Sequence, residues 1–298
     1  MSIVSSISSA PCIACQAVNW QPCPAETAAA RYQPPYKLVR CGNCGLRRLD
    51  PLPSQEELKA FYESDELKHQ YIEHQECAYI SGDLEALPYV TERLKTLQNF
   101  LGRPGRILDI GAAQGAFLKR AQEQGWEIDG LELSPEGVNK AQSHFGIKLR
   151  PCTLHEAAFP AQSFDAVHIS HVMEHLPDPV GVLNEISRIL RPDGLLAVEV
   201  PNEFDDLFDT LRTKLLNRPR TPYTVPSPHV YCFTPPTLNQ VIKKSGFDVL
   251  HFETPRRNAS FESKYPVGSL VRRSIFALEK QLKRGPLIEI YARKRSGS

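Results

Sequence analysis

A chain of 298 residues with 41% hydrophobic and 23% charged residues can bury a sizeable core, which excludes wholesale disorder and collagen-like repeats. No apolar run approaches the ~18 residues a membrane helix needs, and the best stretches, such as Leu195–Val200, are strand-sized. Formal net charge is +1, so bulk electrostatics select no partner, although Pro255–Ser298 carries eleven Lys or Arg against three Glu and predicts a basic face.

At the N-terminus, Ser2–Ala10 holds no basic residue and makes a poor secretory signal, so a cytoplasmic protein is expected. Cys12 and Cys15, then Cys41 and Cys44 after a gap of 25 residues, form two C-x2-C pairs. Two such pairs in a reducing compartment place four thiolates at the corners of a tetrahedron, which predicts a structural zinc ribbon over residues 1–53. Gly42 and Gly45 can turn backbone N–H groups toward sulfur, whereas the first pair lacks such glycines. Cys23 is a rival ligand, and the isolated Cys77, Cys152 and Cys232 read as buried small hydrophobes. The ribbon has too few apolar residues for a core, so metal must supply its folding free energy. Ser54 and Glu57 form a capping box opening a helix near Gln55–Glu63. Charged residues 64–88 and a helix from Pro88 to Leu101, ended by Gly102 and Pro104, complete a helical connector over 54–104.

From Gly105 strands and helices alternate. Strands are expected at Arg106–Ile110, Trp126–Leu133, Lys148–Pro151, Ala166–Ile169, Leu195–Val200, Phe247–Glu253 and Leu287–Arg293, with helices at Gly115–Gln124, Pro135–His144, Val180–Leu190 and Pro236–Ser245. This rhythm predicts an α/β domain over 105–298: a seven-stranded, mostly parallel, Rossmann-like sheet with helices on both faces. Residues 203–235, with Pro219, Pro222, Pro226 and Pro228, sit above the carboxyl edge as an acceptor lid. Gly268–Lys283 reads as an amphipathic helix that covers the sheet or a dimer partner, with peripheral contact to an anionic membrane as the alternative; the oligomeric state stays open.

Ligands of such sheets bind at the carboxyl ends of the strands. Ile107–Leu118 reads as strand, glycine turn and helix, with Asp109 offering an acceptor for a cationic group. Twenty residues on, Gly130-Leu131-Glu132-Leu133-Ser134 ends a strand on a carboxylate able to take both hydroxyls of a ribose. At these residues the sequence resembles the class I S-adenosylmethionine-dependent methyltransferases. Ser163–Val167, Val172–Leu176, the Leu190–Gly194 turn and Glu199-Val200-Pro201-Asn202 extend the likeness to the subgroup of ubiquinone-pathway and sugar O-methyltransferases. A Rossmann dehydrogenase expects G-x-G-x-x-G and fits the G-A-A-Q-G turn less well.

The resemblance implies S-adenosylmethionine as cofactor. Asp109, Gly111, Ala113 and Gly115 would surround its methionine end, Glu132 its ribose, Leu133 its adenine and Thr153-Leu154 the adenine edge, with Ser170 at the end of the fourth strand. Two positions depart from the family pattern: Ala113 replaces a usual glycine, and Thr153 stands where relatives often carry an acid. Enzymes that methylate amines of nucleic-acid bases resemble one another in a D/N-P-P-Y/F segment; here Ser170-His171-Val172-Met173 stands instead, which disfavours nucleic acid and points to a small-molecule or saccharide hydroxyl. His171, Glu174 and His175 fall i, i+3, i+4 on one helical turn, either supplying a histidine base or holding a divalent cation that acidifies the acceptor. His229, in a PH-x-x-x-F segment common in the subgroup, is the second base candidate. An RNA methyltransferase and a catalytically silent zinc-binding interaction module remain as alternatives, the first suggested by the ribbon and the basic tail.

Overall fold

The computed structural model describes residues 9–30, 35–62, 87–217, 229–256 and 269–295. In chain order these form β1 (Trp20–Pro22), α1 (Pro24–Ala30), β2 (Lys37–Cys41), β3 (Arg47–Asp50), α2 (Gln55–Tyr62) and α3 (Pro88–Leu101). Next come β4 (Arg106–Ile110), α4 (Ala116–Glu123), β5 (Glu127–Leu131), α5 (Pro135–Phe145), α6 (Leu154–Ala157), β6 (Phe164–Ser170), α7 (Pro179–Ile189) and β7 (Leu190–Pro201). The chain continues with α8 (Leu207–Leu216), β8 (Tyr231–Cys232), α9 (Pro235–Lys244), β9 (Phe247–Glu253), α10 (Ser269–Leu282) and β10 (Leu287–Lys294).

Local chemistry sets the helix ends. Ser54 and Glu57 close the expected capping box: the Glu57 N–H donates to Ser54 Oγ at 3.1 Å and the Ser54 N–H to Glu57 Oε2 at 2.7 Å. Pro88 starts α3, and Gly102, at φ 81°, ends it by donating its N–H to the Gln98 carbonyl. Most of the connector expected over 64–88 lies outside the described residues.

Six strands form the main sheet in the order β5-β4-β6-β7-β10-β9. Strands β5, β4, β6 and β7 run parallel, while β10 is antiparallel to both its neighbours. Side chains alternate between two cores: Leu108, Ile110, Val167, Ile169, Leu196 and Val198 face one, Ile107, Ala166, Leu195 and Ala197 the other. The α/β architecture is the expected one, with one strand fewer. The seventh, expected at Lys148–Pro151, is reduced to a single bridge between Leu131 and Arg150. Pro151 has no N–H with which to extend the ladder.

A second, antiparallel sheet has the order β1-β2-β3-β8. Its last strand comes from residues 231–232, and the Leu49 N–H donates to the Val230 carbonyl at 2.9 Å. Cys12, Ala14, Cys41 and Leu46 are fully buried in the same apolar cluster as Met173, Val230 and Phe233. The N-terminal segment therefore shares the core of the main sheet.

Of the lid expected over 203–235, residues 218–228, with all four of its named prolines, lie outside the described residues. Its first part forms α8, which packs on α10 through Phe208 and Phe276, their rings 6.2 Å apart. Arg256 sits over the Phe276 ring and pairs with buried Glu279 at 2.8 Å. No helix is long and apolar enough to cross a membrane among the described residues.

Candidate active site

The turn after β4 bends through three left-handed residues, Gly111 (φ 75°), Ala113 (φ 47°) and Gly115 (φ 79°). A Cβ on Gly111 would overlap the Val172 side chain, so glycine is required there on both conformational and steric grounds. Ala113 does carry a Cβ in this region. Its N–H is held by Glu132 Oε2 at 2.8 Å, and the Ser134 N–H donates to Oε1 at 2.7 Å. Burial raises the Glu132 carboxyl against the opposing pull of these two donors. Each of its oxygens retains capacity for a second hydrogen bond. Leu133 beside it is half-buried and Leu154 buried. Thr153 caps α6, and its N–H and hydroxyl both reach Glu156 Oε2, at 2.8 and 2.9 Å, which brings a carboxylate to a position where the sequence carries none. Gln114, buried within the same turn, has no hydrogen-bond partner for its side-chain amide among the described residues.

Asp109, near the carboxyl end of β4, is buried beside an ion-pair chain that the sequence reading missed. Its Oδ1 lies 2.6 Å from His168 Nδ1 on β6, and Arg93 Nη1 of α3 lies 2.7 Å from His168 Nε2. A guanidinium only donates, so Nε2 accepts and the imidazole proton sits on Nδ1, directed at Asp109. Burial pushes His168 down despite the neighbouring Asp109, which keeps it neutral. Phe117 stacks on it at 3.8 Å. Arg93 also meets Glu199 and Glu289, each at 2.7 Å, and Tyr291 donates to Glu289 at 2.5 Å. Asp109 Oδ2 is buried with no hydrogen-bond partner among the described residues, an acceptor left over for a cationic group. The one sequence signal for this chain was polar side chains at His168, Glu199 and Glu289 within otherwise apolar strands.

His171 leaves β6 at φ 54°, and Met173–His175 form a single 3-10 turn. His171, Glu174 and His175 therefore do not share one helical turn, because the left-handed residue breaks the spacing on which that expectation rested. Half-exposed His171 lies between two buried carboxylates, with Nδ1 3.4 Å from Glu174 and Nε2 3.5 Å from Glu199. Desolvation works against its charged form, but these two carboxylates raise it to about 10, so it is a cation at neutral pH. Ser170 donates to the same Glu199 carboxylate at 3.2 Å. His175 Nε2 is 4.0 Å from Glu174, and its ring meets His229 edge-on at 4.8 Å. His229 Nδ1 lies 3.0 Å from Glu203 Oε1. One ligand atom each from Glu174, His175 and His229 falls within 4.8 Å of the others, so His229 takes the place the sequence reading gave His171.

In the N-terminal sheet the Sγ atoms of Cys12, Cys15, Cys41 and Cys44 all lie within 4.8 Å of one another, with Cys12–Cys44 and Cys15–Cys41 at 3.5 Å. Tetrahedral Zn–S bonds of about 2.3 Å imply sulfur–sulfur edges of roughly 3.8 Å, so the donor set fits that ion. Cys23 packs elsewhere, with Leu38 and Cys232.

A sequence model described as a methyltransferase domain matches residues 83–252, more than half of the chain. The chain belongs to the methyltransferase domain family. The matched stretch of this methyltransferase domain holds Arg93, the Gly111–Gly115 turn, Glu132, His168 and the histidine cluster; the cysteine quartet precedes it. Among similar proteins, the ubiquinone biosynthesis O-methyltransferase of Xanthomonas oryzae pv. oryzae is 30% identical over 122 residues, 39% of this chain and 48% of that protein. That of Actinobacillus pleuropneumoniae serotype 7 is 26% identical over 101 residues, 30% of this chain and 43% of that protein. The chain thus spans about half the length of the curated relatives it matches. A solved structure with the same fold is Burkholderia thailandensis 1,6-didemethyltoxoflavin-N1-methyltransferase, bound to 1,6-didemethyltoxoflavin and S-adenosylhomocysteine (TM-score 0.56, 18% identity, 89% of this chain and 97% of that one).

Proposed function

We propose that this protein transfers the methyl group of S-adenosylmethionine to a hydroxyl of a small molecule or saccharide. The observation that carries the reading is a cradle at the carboxyl ends of β4 and β5, with the histidine cluster beyond the next strand, β6. The cradle combines a positive-φ turn, the buried free oxygen of Asp109 and the Glu132 carboxylate. When bound, S-adenosylmethionine supplies an electrophilic methyl carbon on a cationic sulfur. In this reading Asp109 Oδ2 accepts from the ammonium of the methionine end, Glu132 takes the ribose hydroxyls, and Leu133, Thr153 and Leu154 line the adenine. Gly111, Ala113 and Gly115 let the backbone approach, Ser170 closes the floor through Glu199, and a histidine removes the acceptor proton.

The relatives' names support an oxygen acceptor of small size, and the absence of a D/N-P-P-Y/F segment weighs against nucleic acid. We further propose that Cys12, Cys15, Cys41 and Cys44 bind one structural zinc ion in a reducing, cytoplasmic setting, which the thiol geometry supports. One observation favours a second reading of the acceptor site: Glu174, His175 and His229 converge closely enough to hold a divalent cation. Titration calorimetry with S-adenosylmethionine tests the cofactor assignment, and absence of binding removes it. Transfer of labelled methyl into a metabolite extract identifies the acceptor. Brief chelation followed by Mg²⁺ or Zn²⁺ addition separates the two readings, since only the cation reading predicts loss and rescue of turnover.

A further inference from the structure

A row of buried polar side chains crosses the main sheet beneath α3 and ends at the cofactor cradle. Asp109 of β4 and His168 of β6 are partners in the parallel register, and Glu199 of β7 faces Glu289 of β10 in the antiparallel one. Two carboxylates set opposite each other in a low-dielectric core need a cation between them. Arg93 supplies it: Nε donates to Glu289 Oε1 and Nη2 pairs with Glu199 Oε2, each at 2.7 Å. That leaves Nη1 to reach His168 Nε2, also at 2.7 Å. Because a guanidinium only donates, Nε2 must accept, so Nδ1 carries the ring proton and donates to Asp109 Oδ1 at 2.6 Å. The Phe117 ring, stacked on the imidazole at 3.8 Å with an interplanar angle of 11°, fixes its plane.

From this arrangement we infer that His168 is a positioning residue for the cofactor: it holds Asp109 Oδ1 so that Oδ2 stays turned to the ammonium of the methionine end. Arg93 fixes the tautomer that allows this. The inference rests on the methyl-transfer reading above and deepens it, by assigning cofactor affinity to residues that stand behind the one making the contact.

The outer torsion of an aspartate side chain is broad, so without a fixed donor neither oxygen has a set direction. Here Oδ1 is engaged, while Oδ2 is buried with no hydrogen-bond partner among the described residues. A desolvated acceptor of this kind destabilises the empty protein and is satisfied only by a group that arrives from outside. Its place fits such a group, since Asp109 stands two residues before left-handed Gly111, where β4 gives way to the cradle. The rest of the row is occupied elsewhere: Arg93 meets His168, Glu199 and Glu289, and Tyr291 donates to Glu289. An acceptor ordered in advance binds a cation with no further ordering cost, so the contact appears as affinity.

Calorimetry on the full-length protein with two ligands isolates this role: S-adenosylhomocysteine, and its deaminated analogue, which lacks only the amino group. The wild type should prefer the first by about 10-fold or more, because a charge-assisted hydrogen bond is at stake. The amide of His168→Gln can reach toward Arg93 but leaves no donor at the Nδ1 position. There the preference should fall to about threefold or less, while affinity for the deaminated analogue stays within about twofold. In His168→Asn the amide nitrogen takes the Nδ1 position, and the preference should survive. Spectra of histidine-labelled wild type should show a neutral Nδ1–H imidazole for His168, assigned by its loss in His168→Asn. An Nε2–H tautomer, equal binding of the two ligands by the wild type, or an unchanged preference in folded His168→Gln overturns the inference. So does an equal loss for both ligands in either variant, which is what a packing role alone produces. If His168→Gln does not fold, the wild-type tautomer and His168→Asn decide, and loss of the preference in folded His168→Asn overturns it. A wild type that binds neither ligand strikes the methyl-transfer reading and this inference with it, whereas failure of the inference alone leaves S-adenosylhomocysteine bound.

Discussion

Asp109 has one carboxylate oxygen tied to His168 and the other buried without a partner. In the proposed reading, removing the side chain deletes a charge-assisted hydrogen bond to the cofactor's ammonium, a loss of roughly 1.5–3 kcal/mol. Asp109→Ala and Glu132→Ala are therefore each expected to weaken S-adenosylmethionine binding by about 10-fold or more in calorimetry. Unchanged affinity in both would remove the assignment of the cradle. These two acids were legible because each stands at a strand end beside a turn, where chain order alone places it at the carboxyl edge. Arg93, His168, Glu199 and Glu289 were not, since their pairing depends on sheet register and on a helix far away in sequence. His171 makes a pH prediction of its own. Its folded-state pKa is raised, so its pairing stabilises the protein fully below the ordinary imidazole value of ~6.5 and is lost as pH rises toward about 10. Melting temperature should fall over that window in the wild type and fall less steeply in His171→Ala; parallel curves would contradict the pairing.

Helix α3 is tied to the sheet by one buried guanidinium. Arg93 contacts β6 through His168, β7 through Glu199 and β10 through Glu289, so it joins three strands that are neighbours in the sheet. Arg93→Met removes the guanidinium that pairs with both Glu199 and Glu289 in a low-dielectric core, leaving Glu199 with His171 and Ser170 and Glu289 with Tyr291. Breaking a buried pair from one side costs about 3–5 kcal/mol, and urea unfolding should read a loss of that order. A loss under about 1 kcal/mol would mean that water reaches these carboxylates. The strand–helix rhythm after Gly105 was legible because hydrophobic periodicity and helix stops act locally. The edge strand at Lys148–Pro151 was over-read because periodicity carries no information about which residues can donate to a ladder. The H-x-x-E-H spacing misled for a related reason: it presupposes a helix, and His171 adopts a left-handed backbone that no spacing rule registers.

At the scale of the whole molecule, the cysteine-bearing sheet is joined to the histidine cluster through β8. Strand β8 completes the sheet of β1, β2 and β3, and it begins two residues after His229. The Leu49 carbonyl accepts from Arg48, and the Leu49 N–H holds the Val230 carbonyl, so β3 reaches to within one residue of His229. Cys41 ends β2, the neighbour of β3, and its thiol sits in the quartet. If zinc holds that quartet, its removal releases β2 and β3, and the pairing with β8 should loosen with them. Hydrogen exchange on the full chain, with and without chelator and in Cys41→Ser, measures this directly. Faster exchange is expected over 37–50 and at 230–232, while 106–110 in the centre of the main sheet keeps its protection. Faster exchange confined to residues before 50, with 230–232 unchanged, would show that the cysteine-bearing sheet can melt without touching the histidine cluster. Unchanged exchange everywhere after chelation, with no zinc released, would show that the thiols hold their places by packing alone.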